Sequence, residues 1–365
     1  MENNNQAKPV TILTGFLGAG KTTFLNALIK SDTTKRPIIV ENEFGEENID
    51  SELVIGAGDK IFSFSDGCVC CSLNNELFEL LRQMWSNRDK FDEMIIEATG
   101  IADPGFIAMP FMEDPNMENF YKLDRVICLV DAQFIESELE NTEEARKQIA
   151  FSDILLITKT DLVDADKLHQ IKHILKDINP WATVLEGNNK DGYPIDKIRQ
   201  LTRENIDNAI MEDTQNQYEA EIEEEHHHDH DHEHHHHDHH DHAHEGHHHE
   251  HGEHCEHHSH HHGIESFSVK YDGVFDLEKL QDALIDILND NDNLVYRVKG
   301  FVHVKDIPNR LVVQLVGTLL TITDGQAWKE NEEKISRLVF IGKGINEEQV
   351  EKAIRDCQTK VVEKV

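Results

Sequence analysis

None of the apolar runs in this 365-residue chain approaches the ~20 positions that a membrane-spanning helix requires. The opening MENNNQAKP carries no apolar leader, so a cytoplasmic location is expected. Lys and Arg are missing altogether between Arg203 and Lys270, in a chain whose formal net charge is -36. Such a chain repels nucleic acid and anionic lipid, and neither is expected as a partner. Cysteine is scarce, with six in all. Cys128 and Cys357 stand alone in apolar or helical surroundings and are expected to pack as small apolar residues. Three others crowd into SDGCVCCSL, as Cys68, Cys70 and Cys71. Cytosolic thiols are kept reduced, which argues against a disulfide framework and leaves a redox centre, a soft-metal site or inert packing.

The length suits about two domains of roughly 100–200 residues each. Over the first ~200 residues, strand-like runs (PVTILTGF, RPIIVENEF, KIFSFSDG, DEMIIEATG, DRVICLVDA, DILLITKTD) alternate with helical patterns such as KTTFLNALIK and NNELFELLRQMW. Short apolar strands separated by helices predict an α/β fold, a mostly parallel sheet covered on both faces. Ligands of such sheets bind at the carboxyl ends of the strands, where the polar motifs of this sequence fall. The expected organisation is an α/β domain over 1–205, an acidic His-rich linker over 206–263 that is disordered without metal, and a smaller α+β domain over 264–365. The last of these shows helical patterns in DLEKLQDALIDILND and NEEQVEKAIRDCQTK. Its strand-like runs are GIESFSVKYDGVF, LVYRVKGFVHV, RLVVQLVGTLLTITD and SRLVFIGK.

GFLGAGKT, residues 15–22, fits G-x-x-x-x-G-K-[ST] and sits between a predicted strand and a predicted helix, the context of a P-loop. Gly15, Gly18, Ala19 and Gly20 would turn backbone N–H groups around phosphate oxygens, aided by the helix N-terminus that continues into Thr23. Lys21 would reach the β- and γ-phosphates, and the Thr22 hydroxyl would ligate Mg²⁺. TKTD, residues 158–161, is the guanine-reading N-K-x-D pattern with Thr158 in place of Asn. The Asp161 carboxylate would accept from guanine N–H groups and the Lys159 stem would lie over the base. EATG, residues 97–100, has the form of a Walker-B or switch element with Glu97 where many GTPases carry Asp. Glu97 would serve Mg²⁺ or the attacking water, and the Gly100 N–H would sense the γ-phosphate. No arginine finger or catalytic Gln stands beside the P-loop in the sequence, so slow intrinsic hydrolysis is expected.

GFLGAGKTT, ENEFGE, GCVCC, EATGIADP, TKTD and the C-terminal RVKGFVHV…LVFIG together resemble the CobW family of GTPases, within the wider group of metal-centre assembly GTPases. The resemblance spans nearly the whole chain outside the histidine run. It implies a P-loop GTPase domain, a smaller C-terminal domain that recognises a client, and a metallochaperone role with zinc or cobalt as the usual metal.

The residues are compatible with this. Thiolates suit Zn²⁺ and related soft or borderline ions. Cys68, Cys70 and Cys71 cannot easily close a regular four-thiolate site, and an open position suits transfer. The thiols fall between the switch-like ENEFGEENID and EATG, so metal binding there would couple to the γ-phosphate. Glu41 and Glu46 are candidate oxygen ligands, by the resemblance and by their switch-like location. Twenty-three of the 26 histidines lie between His226 and His262, interleaved with Asp and Glu, together with Cys255. Their irregular spacing suits several weak, exchangeable metal sites, in a store or antenna. His303 is expected to be structural.

The leading expectation is therefore a GTP-hydrolysing zinc metallochaperone with GTP, Mg²⁺ and Zn²⁺ (alternatively Co²⁺ or Ni²⁺) as ligands. Its partner would be a client apo-metalloprotein, and a homodimer is compatible with the sequence. The alternatives are a metal buffer or sensor working through the histidines, and a cobalt or nickel insertion activator for a metalloenzyme.

Overall fold

The computed structural model describes residues 7–43, 61–65, 72–113, 117, 119–203, 205–206, 265–290, 294–316, 319–328 and 333–359. The first part holds strands β1 (Lys8–Gly15), β2 (Pro37–Glu43), β3 (Ile61–Ser65), β4 (Glu93–Glu97), β5 (Tyr121–Asp131), β6 (Ile154–Thr158) and β7 (Thr183–Glu186). Between them run helices α1 (Lys21–Ser31), α2 (Ser72–Trp85), α3 (Pro104–Glu113), α4 (Ile135–Asn141), α5 (Glu143–Phe151), α6 (Ala165–Ile178) and α7 (Ile195–Gln200). The strands form one sheet in the order β3-β2-β4-β1-β5-β6-β7, and every pairing is parallel.

Burial on both faces explains the unbroken apolar runs: all five residues of β6 are buried, as are four of five in β4. One core cluster packs β1, β2 and β4 against Leu77, Leu81, Ile107 and Phe111 of α2 and α3. Another packs β5 and β6 against Leu139, Ile149, Ile171 and Leu175 of α4 to α6. From β1 the chain moves to β2 on one side, leaving a place that β4 later fills, and then crosses to β5 on the other side. Such a reversal opens a crevice at the carboxyl ends of the central strands. Gly15, Glu97, Asp131 and Thr158 all stand at those ends.

After the histidine run come β8 (Glu265–Tyr271), β9 (Val274–Phe275), α8 (Leu277–Asn289), β10 (Leu294–Val302), β11 (Asn309–Val316), β12 (Leu319–Ala327), β13 (Ser336–Lys343), α9 (Glu347–Arg355) and β14 (Gln358–Thr359). β12-β11-β10-β13-β8 is an antiparallel sheet, and β14 pairs with β9. Leu280, Leu284, Val350 and Ile354 of the two helices pack on one face of it. The run RLVVQLVGTLLTITD, which reads as one strand, is a hairpin of β11 and β12.

The sheet joins the nucleotide domain through a buried cation. Arg297 of β10 donates from Nη1 to the carbonyls of Ala150, Phe151 and Ser152 at 3.2, 2.8 and 3.2 Å, closing the carboxyl end of α5. Its Nη2 meets Asp153 Oδ1 at 3.2 Å, and Arg203 Nε lies 3.5 Å from the same oxygen. Asp153 Oδ2 accepts the Val126 N–H at 3.0 Å. Burial pushes the Asp153 carboxyl up, but Arg203, Arg297, Lys299 and this N–H outweigh it and hold it below the ordinary carboxylate range. Tyr296 and Ile341 of the second sheet complete the core around Cys128.

Candidate nucleotide and metal site

β1 ends on Gly15 at φ 134°, where a Cβ would fall 2.4 Å from the Leu129 carbonyl oxygen, so only glycine fits. Gly18 and Gly20 also take left-handed φ, at 81° and 92°. Between them the loop closes with Ala19 N–H donating to the Phe16 carbonyl at 3.2 Å. α1 starts at Lys21 with no side-chain cap, which leaves its first N–H groups to an external acceptor. Lys21 is buried, and its ammonium donates to the carbonyls of Gly15 and Phe16 at 2.9 and 3.2 Å. Thr23 is on the exposed side of α1.

The Thr22 hydroxyl donates to Glu97 Oε1 at 2.9 Å, joining α1 to the end of β4. Glu41 of β2 is buried and stands in register with Glu97. Gly100 follows on a loop pressed against the P-loop: a Cβ there would lie 2.7 Å from the Leu17 nitrogen. This loop is held from α5, where buried Gln148 donates from Nε2 to the carbonyls of Gly100 and Ala102, both at 3.1 Å. Nothing in the sequence motifs singles out Gln148.

At the end of β6, Thr158 is buried and its hydroxyl donates to the Ala19 carbonyl at 2.8 Å. That contact ties the TKTD segment to the P-loop, and explains how a hydroxyl can stand where the guanine-reading pattern has an amide. Lys159 adopts a left-handed φ of 55°, and its ammonium bonds Asp131 Oδ2 at 2.5 Å. Asp161 lies exposed in the turn that follows. Asn188, just past β7, donates to Thr160 Oγ1 at 3.0 Å and accepts the N–H groups of Lys190 and Asp191. Asp131 and Asn188 were not among the sequence candidates. Their signal is a polar residue at the end of an apolar strand, in VDA and LEGN, once the strand order is known.

Buried Glu138 of α4 is also close to these groups. Burial and the Asp131 carboxylate raise its pKa to about 7, against the opposing pull of Lys159 and Lys21.

Cys68, Cys70, Cys71, Glu46, Cys255 and the histidines of the acidic run lie outside the described residues. In the chain, β3 ends at Ser65, before the thiols, and α2 begins at Ser72, after them. Cys128 and Cys357 are buried free thiols, and burial pushes them up to about 12 and about 11, so they are packing residues. His303 donates its backbone N–H to Ser336 Oγ at 2.8 Å and packs edge-on to Trp328; burial and Lys334 lower its pKa. Among the described residues no group of three or more His, Cys, Asp or Glu is arranged to hold a metal ion, and no helix is long and apolar enough to cross a membrane.

A glycine-rich loop opening a helix, a hydroxyl–carboxylate pair across it and a polar crevice at the strand reversal define a P-loop nucleotide-binding protein. Residues 9–186 match the CobW/HypB/UreG nucleotide-binding domain, and residues 264–358 match the cobalamin synthesis protein cobW C-terminal domain. The zinc chaperone YjiA of Escherichia coli (strain K12) is 30% identical over 354 residues, covering 94% of this chain and 96% of that one. The zinc chaperone CobW of Pseudomonas aeruginosa is 28% identical over 378 residues, covering 95% and 90%. The crystal structure of the Zn(II)-bound YjiA GTPase from E. coli superimposes with a TM-score of 0.61 at 25% identity, covering 97% of this chain and 100% of that one. The chain belongs to the CobW/HypB/UreG family of GTPases.

Proposed function

We propose that this protein is a GTP-hydrolysing metallochaperone that binds zinc at Cys68, Cys70 and Cys71 and passes it to a client apo-metalloprotein. The observation that carries the reading is the contact of Thr22 with Glu97, beside Glu41. It puts one carboxylate of the nucleotide site next to a carboxylate on β2, the strand that leads into the switch-like ENEFGEENID. The names of the relatives, zinc chaperones over nearly their full length, support the same reading.

The γ- and β-phosphates would take over Lys21 from the carbonyls of Gly15 and Phe16, while the N–H groups of the loop and of α1 receive phosphate oxygens. Thr22 Oγ1 and Glu97 Oε1 are hard oxygen donors 2.9 Å apart. Adjacent vertices of an octahedron with bonds of about 2.1 Å lie about 3 Å apart, so these two residues fit Mg²⁺ and would hold it. Bound Mg²⁺ neutralises phosphate charge and polarises the transferring phosphoryl group. Asp161 accepts from guanine, and Asp131 holds Lys159 for packing along the base. The Nε2 of Gln148 is committed to two loop carbonyls, which supports a slow intrinsic rate.

The test uses zinc-loaded protein lacking residues 220–262, in one single turnover of GTP, with phosphate and chelator-captured zinc followed together. Zinc appearing in step with phosphate supports delivery coupled to hydrolysis. Zinc retained throughout, or lost equally in GDP, contradicts it. The 23 histidines between His226 and His262 favour a second reading, a metal buffer. A buffer loses its function with that deletion, whereas a chaperone keeps nucleotide-coupled metal binding.

A further inference from the structure

Three histidines lie outside the acidic run, and two of them, His169 and His173, are one turn apart on α6. Both are exposed, and their Nε2 atoms stand 3.3 Å apart, with ring centroids 4.4 Å apart and planes at 63°. That separation has a chemical meaning. An ion bound tetrahedrally to two imidazoles, with metal–nitrogen bonds of 2.0–2.1 Å, requires its nitrogens to lie about 3.3 Å apart. The two Nε2 atoms, here joined by a hydrogen bond, therefore already stand at the separation that one shared ion requires, and an ion would replace the shared proton.

The rest of the helix favours a cation there. Asp166 and Asp177 continue the same exposed stripe, at helix spacings of three and four residues from the histidines. α6 also carries Lys167, Lys172 and Lys176, which would repel a dication. Each of them is engaged elsewhere: Lys167 with Glu136 of α4, Lys172 with Glu186 of β7, and Lys176 with the carbonyls of Pro180 and Ala182. The opposite face, Ile171, Leu175 and Ile178, is buried in the core of the sheet, so the helix backbone fixes the spacing of the pair. β8, on which the chain resumes after the histidine run, meets the end of this helix, where Ser266 Oγ donates to the Asp177 carbonyl at 3.2 Å.

We infer that His169 and His173 form a second metal site, a bidentate dock for a borderline divalent ion such as Zn²⁺, Co²⁺ or Ni²⁺. It is separate from the cysteine motif and does not rest on the proposed function. Two protein ligands leave the remaining positions to water or to an incoming ligand, so the ion exchanges readily.

Trypsin separates the two histidines, since LHQIK (168–172) and HILK (173–176) are successive peptides. The full-length chain is treated with diethyl pyrocarbonate at a series of buffered free Zn²⁺ concentrations, and carbethoxylation of each peptide is read by mass spectrometry. Buffering keeps the other histidines from depleting the ion. A shared ion protects His169 and His173 over the same concentration range. His169→Ala then raises the Zn²⁺ needed to protect His173 by tenfold or more, and His173→Ala does the same to His169. His169→Gln, which keeps a polar helix surface, repeats the effect and rules out a general disturbance of α6. Protection of either histidine that is indifferent to loss of the other, or no protection at Zn²⁺ concentrations that protect the histidines of the acidic run, overturns the inference.

Discussion

The Thr22 hydroxyl donates to Glu97 Oε1 at 2.9 Å, across 75 positions of sequence. The two residues occupy one place because β4 inserts between β1 and β2, and Glu41 enters the same place from β2. If this pair holds Mg²⁺, Glu97→Gln keeps the fold and the nucleotide but weakens the charge that stabilises the transition state. Its GTP turnover should fall about 100-fold or more, with GDP affinity changed only a few-fold. Pre-steady-state phosphate release and a fluorescent GDP titration measure the two quantities. A variant that binds GDP normally and hydrolyses GTP at the parent rate contradicts the assignment.

The proposed function gives base selection to Asp161, with Lys159 held by Asp131. Asp161→Asn exchanges an acceptor for a donor where guanine presents N–H groups. GTP affinity should fall about 100-fold or more, because a polar pair is left mismatched, and xanthosine triphosphate should become the better ligand. Competition between the two nucleotides for the variant reads the switch directly. An unchanged preference for GTP removes Asp161 from that role.

The joint between the two sheets is a buried charge cluster, and breaking a buried pair on one side strands the other charge. Arg297→Met should lower unfolding free energy by roughly 3–5 kcal/mol, measured by urea denaturation. The Asp153 carboxyl is held below its unfolded value, so its stabilisation is complete above the unfolded pKa and is lost as pH falls through the folded one. Asp153→Asn should therefore lose the steep acid limb that the parent shows below about pH 4. A parent and a variant with parallel acid limbs would count against the cluster.

Glu138 has the opposite sign. Its pKa of about 7 lies above the unfolded value, so the folded protein holds a proton that the unfolded chain releases. Its contribution is full at low pH and declines as pH rises from about 4.5 to about 7. Glu138→Gln should flatten that decline and, near pH 8, stabilise the protein by roughly 2 kcal/mol. Thermal unfolding at pH 5 and pH 8 gives the comparison. Equal pH dependence in parent and variant would show that Glu138 titrates normally.

The P-loop was legible in the sequence because its chemistry is carried by consecutive residues in a strand–loop–helix setting. The sheet was legible because burial on both faces leaves apolar runs that no half-exposed strand shows. What escaped depends on three-dimensional order. Asp131 and Asn188 are single polar residues after apolar strands, and they gain meaning only when β5, β6 and β7 are seen side by side. Gln148 sits in an ordinary amphipathic helix, and its partners are backbone carbonyls some 46–48 positions away. Arg297 is one charged residue within a strand-like run, and the sequence of β10 does not show that the end of α5 lies over it. His169 and His173 follow an i, i+4 spacing that the far denser histidine run obscured.

The central claim is that metal at Cys68, Cys70 and Cys71 is coupled to the nucleotide held by Lys21, Thr22 and Glu97. The most direct measurement is a Co²⁺ titration of the full-length chain, following the near-ultraviolet thiolate-to-cobalt charge-transfer band, which the histidines do not produce. A Cys255→Ser background excludes the one thiol of the histidine run. The comparison is between GDP and a non-hydrolysable GTP analogue, each with Mg²⁺. The account predicts that affinity at the thiols differs by tenfold or more, about 1.4 kcal/mol of coupling, and that Glu97→Gln narrows the difference. Superimposable titrations in the two nucleotides would contradict it.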